Sequence, residues 1–341
     1  MQATFKKHLL EFKIPAQTSR GSYTHKEVYL LTVSDGVSNA LAEASPLPDL
    51  SIDPMPKMEE KMLDVCSYLN EQNDRHEINY ALQLQHFPSI QFALECAFEK
   101  LKYKEPNLLF PSAFTEKKEG IPINGLVWMA DKENMWKQIE SKIEAGYTCI
   151  KLKIGALDFD EECRLLERVR KIHSAHKITL RVDANGAFAI DDAKQKLHDL
   201  FQFELHSIEQ PIKSKQYDAM QQLCAETKIP IALDEELIGM DATENSEGLL
   251  KYIRPQFIIL KPTLLGGFKN CNRWIRAASK NQVGWWLTSA LESNIGLNAI
   301  AQYAGTFRVT LPQGLGTGTL YRNNFKENTI INDGMLFYHE A

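Results

Sequence analysis

No C-x-x-C pair occurs among the six cysteines of this 341-residue chain, Cys66, Cys96, Cys149, Cys163, Cys224 and Cys271, which excludes a zinc ribbon and a thiol redox motif. Cys96 and Cys149 lie in apolar stretches and read as small core residues. No run of about 18 apolar residues is available for a membrane span, and residues 1–8 have no apolar segment behind their charges to act as a secretion signal. Neither sign of charge dominates: 39 basic residues stand against 44 acidic ones, a net charge of −5, so nucleic acid and anionic membranes are not expected partners. The nine histidines form no cluster, and His173 and His176 fall on a helix-like stretch where they read as solvated. Gly314-Leu315-Gly316-Thr317-Gly318 is followed by no lysine and opens no helix, so it reads as a turn or anion-cradling loop rather than a nucleotide loop. These absences suit a protein of the reducing cytoplasm that acts on a small molecule.

What is present is a repeating pattern. With 44 % hydrophobic residues the chain can bury a sizeable core without staples. Short apolar runs cover 123–129, 149–154, 178–182, 205–208, 229–233, 257–260, 283–287 and 309–311. Their length and β-branched content suit buried parallel strands. Stretches of helical length and period separate them, such as 159–173 and 267–279. Regular alternation implies βαβ units and a closed barrel. The last run leads into the glycine string rather than a helix, so the expected form is a (β/α)7β barrel over residues 116–314. Residues 1–115 read as a separate α+β domain, with a strand over 28–33, a turn at 34–36 and helices over 58–71 and 89–101. Residues 315–341 are expected to return to that first domain.

The chemistry sits where the apolar runs end. The second run closes on Lys151-Leu152-Lys153, the third on Asp183-Ala184-Asn185, the fourth on Glu209, the fifth on Asp234 and the sixth on Lys261. Successive spacings from Lys153 to Lys261 are 30, 26, 25 and 27 residues, about one βα unit each. In a parallel barrel all these ends open on one face, where such enzymes carry their sites. Three carboxylates on adjacent strands repel one another and raise their own pKa values unless a cation joins them. Oxygen-only ligation favours Mg²⁺ over zinc. Asp183, Glu209 and Asp234 are therefore the candidate metal ligands. Lys151 and Lys153 point to one side by strand alternation. Mutual repulsion lowers the pKa of paired ammonium groups and makes Lys153 a candidate general base. Lys261 reaches the same place from the opposite wall. A metal at this point would stabilise an enediolate, the product of removing a proton beside a carboxylate.

These residues resemble the enolase superfamily, in its muconate-lactonizing branch with lysines on both walls. Lys151-Leu152-Lys153-Ile154-Gly155 is similar to the branch's K-x-K strand, and Phe92-Ala93-Leu94-Glu95-Cys96-Ala97 to a helix of its capping domain. The resemblance implies that residues 1–115 cap the barrel mouth. Within the branch, Thr288-Ser289-Ala290-Leu291-Glu292-Ser293-Asn294 and Thr18-Ser19-Arg20-Gly21-Ser22 are similar to segments of the o-succinylbenzoate synthases, the latter to a mobile loop. By that resemblance the chain is a Mg²⁺-dependent lyase of menaquinone synthesis with Lys153 and Lys261 as catalytic residues. Lys151, Asn185, Ser289, Ser293, Arg20 and Ser22 are then candidates for substrate binding. Ser289 and Ser293 would hold an anionic tail, with Glu292 pointing away. The alternatives are an N-acylamino acid racemase or dipeptide epimerase of the same branch, and, more remotely, a non-catalytic scaffold. A dipeptide epimerase needs an acid for a buried ammonium, and residues 311–314 supply none.

Overall fold

The computed structural model describes residues 1–18, 21–72, 75–105 and 107–339. Strands β1 (Gln2–Thr18), β2 (Gly21–Ser34) and β3 (Asn39–Ala44) open the chain as an antiparallel sheet in that order. The strand expected over 28–33 is the buried part of β2, whose first five residues are exposed or half-buried and carry no apolar signal. Helices α1 (Met58–Glu71), α2 (Ile78–Ala81) and α3 (Pro88–Lys100) follow. Met58, Met62, Val65 and Leu69 of α1 recur at helical spacing and are wholly buried. Pro88 opens α3, where its missing N–H costs no helical bond.

After β4 (Ile121–Pro122) the barrel begins. Its parallel strands are β5 (Gly125–Val127), β6 (Cys149–Lys153), β7 (Thr179–Asp183), β8 (Ser207–Glu209), β9 (Ile231–Leu233), β10 (Phe257–Leu260) and β11 (Gly284–Leu287). They lie in sequence order across one sheet. The intervening helices are α4 (Lys132–Glu144), α5 (Phe159–Ile172), α6 (Ile190–Phe201), α7 (Tyr217–Glu226), α8 (Ser246–Ile253), α9 (Pro262–Leu265) and α10 (Phe268–Lys280), with α11 (Asn294–Ala304) after β11. Asp131 and Asp158 cap α4 and α5 by accepting from Asn134 N and Asp160 N.

The eighth apolar run is not a strand. Residues 309–311 are irregular, and the eighth position is filled two residues later by single bridges, Ile123 to Gln313 and Thr288 to Gly314. Pro312, lacking an N–H, interrupts any longer ladder. The C-terminal residues divide between two surfaces. Lys13 N donates to Leu320 O and Arg322 N to Glu11 O, both at 2.8 Å. Farther on, β12 (Thr329–Asn332) and β13 (Met335–Tyr338) form a small antiparallel sheet with β4. No helix among the described residues is long and apolar enough to cross a membrane.

The first domain is tied to the barrel by a cap made in trans. Glu95 of α3 accepts from Phe268 N at 2.5 Å and Lys269 N at 3.2 Å, the first amides of α10. Gly267 permits the approach: its φ is +96°, and a Cβ there would stand 2.5 Å from Glu95 Oε2. Burial pushes the Glu95 carboxyl up to about 7 despite those backbone donors. Glu95→Ala should lower stability by about 1–2 kcal/mol, the usual cost of a lost helix cap, read as a shifted urea midpoint. An unchanged midpoint would show that the contact carries no load.

Candidate active site

Five successive strands, β6 to β10, deliver charged side chains to the barrel mouth at or just past their ends. Lys153 pairs in register with Asp183, and Asp183 with Glu209, so these side chains share a face on neighbouring strands. Asp234 follows β9 directly, and Lys261 follows β10. Lys151 Nζ lies 2.9 Å from Asp183 Oδ2 and 2.5 Å from Glu209 Oε2. Lys153 Nζ lies 2.9 Å from the same Asp183 oxygen and 2.6 Å from Asn185 Oδ1. Lys261 donates to Asp234 Oδ2. Asn185, with φ at 46°, also donates to Glu235 Oε1 at 3.1 Å, which fixes its amide between β7 and β9.

Asp183, Glu209 and Asp234 are all buried. Burial raises the Asp183 carboxyl, but Lys151, Lys153 and Lys261 outweigh it and hold the group well below the carboxylate range. Glu209 goes the other way: burial and then the Asp183 charge push it up to about 8. Paired cations were expected to depress the lysines. For Lys151 burial does act downward, but Asp183 and Glu209 together raise the ammonium above its ordinary value. The carboxylates of the nest thus outweigh the neighbouring cation. The acids are drawn to lysines more than to one another, and no three acidic, His or Cys side chains converge on an ion-sized point among the described residues. One oxygen is left over: Glu209 Oε1 is buried without a hydrogen-bond partner.

The cavity above this nest encloses about 710 Å³, open solvent at its mouth included. Lys151, Lys153, Asp183, Asn185, Lys261 and Ser289 line it. Leu47 and Leu50 of the first domain line it too, with Leu126 and Trp128 of the first barrel strand and its end. These four apolar residues escaped the sequence reading. Alternation along 124–128 carries the signal, since Asn124, Leu126 and Trp128 all line the cavity while Val127 is wholly buried. Leu47 and Leu50 have no such signal, because an irregular segment presents them.

The substrate-binding candidates separate. Ser293 is not in the cavity lining: it caps α11 through Ile295 N and donates to Glu43 Oε2 of β3 at 2.5 Å. Ser289 lines the cavity, but its hydroxyl donates to Glu292 Oε2 at 2.7 Å and accepts from Leu291 N and Thr317 Oγ1. Glu292 does not point away. It is wholly buried, accepting also from Thr263 Oγ1 at 2.5 Å and Ala290 N at 2.8 Å. A carboxylate that caps its own turn is more stable inward than in solvent, which overturns the expectation for Glu292. Ser22 is exposed at the start of β2 and outside the cavity lining, and Arg20 lies outside the described residues.

Residues 134–340, more than half of the chain, match the family described as enolase C-terminal domain-like. An o-succinylbenzoate synthase of Desulfotalea psychrophila is 42 % identical, the match covering 98 % of each chain. A crystal structure of MenC from the same organism superposes with a TM-score of 0.90 at 39 % identity over 99 % of each chain. A muconate lactonizing enzyme from Pseudomonas fluorescens shares the fold, with a TM-score of 0.78 at 19 % identity, over 99 % of this chain and 94 % of its own.

Removing the central cation tests the electrostatics of the nest without reference to turnover. Lys151→Met leaves the buried Glu209 without its cation and Asp183 with Lys153 alone. Breaking a buried ion pair from one side costs about 3–5 kcal/mol, so urea denaturation in chelator should show a loss of that order. A loss below about 1 kcal/mol, the level of a surface pair, would contradict the arrangement.

Proposed function

The chain belongs to the enolase C-terminal domain-like family, and from that premise we propose that it is a carbon–oxygen lyase, an o-succinylbenzoate synthase of menaquinone biosynthesis. It dehydrates a cyclohexadiene carboxylate to o-succinylbenzoate, with aromatisation as the driving force. The observation that carries the reading is the pair of lysines, Lys153 and Lys261, set on either side of three buried carboxylates at one barrel mouth. The relative that matches 98 % of the chain supports the choice of substrate. The six free cysteines suit a reducing compartment, and we place the enzyme in the cytoplasm.

Asp183, Glu209 and Asp234 would hold Mg²⁺. Their oxygen-only donors and the unpartnered Glu209 Oε1 fit a hard cation. Mg²⁺, when bound, supplies positive charge where a carboxylate takes up a second negative charge. Lys153, as the free amine, takes the proton from the carbon beside the substrate carboxylate, and the electron pair of that C–H bond passes into the carboxylate as an enediolate. The Lys153 ammonium then returns the proton to the hydroxyl on the same face, the C–O bond breaks and water leaves. Lys261 stays protonated beside the enediolate. Its neighbours favour that role: burial lowers the ammonium, but Asp234, Glu209 and Glu235 raise it above the ordinary lysine value. Asn185 accepts from Lys153 and orients it.

N-acylamino acid racemisation would use the same two lysines as opposed bases. Free-amine dipeptides fit poorly, since the inward Glu292 is already committed to Thr263, Ser289 and Ala290.

The substrate test is direct. Purified protein with Mg²⁺ should convert the cyclohexadiene carboxylate, followed by ultraviolet absorbance, faster than it racemises N-acylamino acids or epimerises an Ala-Glu dipeptide. A racemisation or epimerisation rate that rivals dehydration overturns the assignment. Arginine cannot serve as a base near neutral pH, so Lys153→Arg should lose about 10³–10⁴ in rate and stop exchange of the α-proton with deuterated solvent. Lys261→Arg keeps the charge and should retain measurable dehydration. The reverse outcome would exchange the two roles. Binding of Mg²⁺ at pH 7 should release protons, because a Glu209 carboxyl raised to about 8 must ionise to ligate. Calorimetry in buffers of different ionisation enthalpy measures this. Glu209→Gln should abolish the release and weaken binding, and release that survives the substitution would remove Glu209 from the metal set.

A further inference from the structure

Leu291 occupies the left-handed region with φ at 62°. A branched non-glycine side chain persists there only when its surroundings impose the conformation. Five hydrogen bonds impose it. Leu291 N donates to Ser289 Oγ at 3.0 Å, and Ala290 N donates to Glu292 Oε2 at 2.8 Å. The Leu291 carbonyl accepts twice, from Lys26 Nζ at 2.9 Å and from Tyr321 OH at 2.7 Å. Lys26 also donates to Ala290 O at 2.7 Å.

The two donors to that carbonyl come from different parts of the chain. Lys26 belongs to β2 of the first domain, and Tyr321 to the C-terminal segment that runs beside β1. Both are buried, and neither lines the cavity. The turn they hold does line it, through Ser289, Ala290 and Leu291. This wall follows β11, the strand beside the one that leads into Lys261.

The geometry points to Lys26 and Tyr321 as positioning residues that set, from behind, the wall against which the tail of the substrate is held. The inference rests on reading the cavity as the site of a tail-bearing carboxylate. It makes tail recognition a joint property of the first domain, the barrel and the C-terminal segment.

The test compares Lys26→Met and Tyr321→Phe with the unaltered protein in Mg²⁺. Loss of a charged donor corresponds to about tenfold and loss of a neutral one to about threefold. KM for the cyclohexadiene substrate, and Kd for o-succinylbenzoate, should rise by those factors while kcat changes by less than about twofold, the pattern of lost uniform binding. Binding of benzoate, which lacks the succinyl tail, should not change. Amide hydrogen exchange over residues 289–292 should speed up in both variants. A similar loss for both ligands, or a lower melting temperature with KM unchanged, overturns the inference. Tyr321→Phe is nearly isosteric and keeps the test open if Lys26→Met does not fold. Exchange over 289–292 needs no substrate. If the unaltered protein neither turns over the substrate nor binds o-succinylbenzoate, the functional reading fails, while unchanged exchange in Tyr321→Phe overturns the positioning role on its own.

Discussion

Charge compensation in the barrel mouth is the constraint on which the rest of this structure depends. Three carboxylates at neighbouring strand ends, buried to within a few per cent, are stable only beside cations. Lys151 bridges Asp183 and Glu209, Lys153 shares the Asp183 oxygen, and Lys261 takes Asp234. The same attraction that stabilises the acids orients the lysines, so the proposed base and the proposed cation are placed by the groups that would hold the metal. Below the nest, Arg181 carries the support downward. Its guanidinium donates to Pro312 O at 2.7 Å and lies 3.9 Å from the centre of the Trp286 ring. One buried side chain on β7 thereby braces the irregular eighth position of the barrel.

The cavity is finished by residues far from the nest in sequence. Leu47 and Leu50 line it from the first domain, and Ser289, Ala290 and Leu291 line it from the barrel. Both pieces are anchored by buried polar groups that cross between domains. Glu43 accepts from Ser293 N at 2.9 Å and Gly296 N at 2.9 Å, Lys26 donates to the turn, and Glu95 caps α10. Such contacts are geometrically specific, because a buried acceptor or donor without its partner is costly. They let a largely apolar interface dock in one orientation.

The charged strand ends were legible because the barrel imposes a repeat: apolar run, charged end, helix, at spacings of 25 to 30 residues. Most strand positions and the helices at 58–71, 88–100, 159–172 and 268–280 follow from the same periodicity. What escaped lacks a period. β1 escaped because its polar alternation resembles a solvated segment, and only Ala3, Leu10, Phe12 and Ala16 are buried along its described side chains. The eighth strand was misplaced because an apolar run preceded the bridge-forming residues by two positions. Ser293 was misread because its partner, Glu43, lies 250 residues away. No local pattern announces a hydrogen bond of that span.

We propose that Asp183, Glu209 and Asp234 hold one cation beside two lysines with separate duties. Mn²⁺, a hard divalent substitute for Mg²⁺, can be located by anomalous scattering in crystals of the protein with bound o-succinylbenzoate. A single strong peak is expected among the three carboxylates, ligated by Glu209 Oε1, with Lys153 and Lys261 on opposite sides of the product. A peak elsewhere, or none while all three carboxylates keep their lysine contacts, would contradict it.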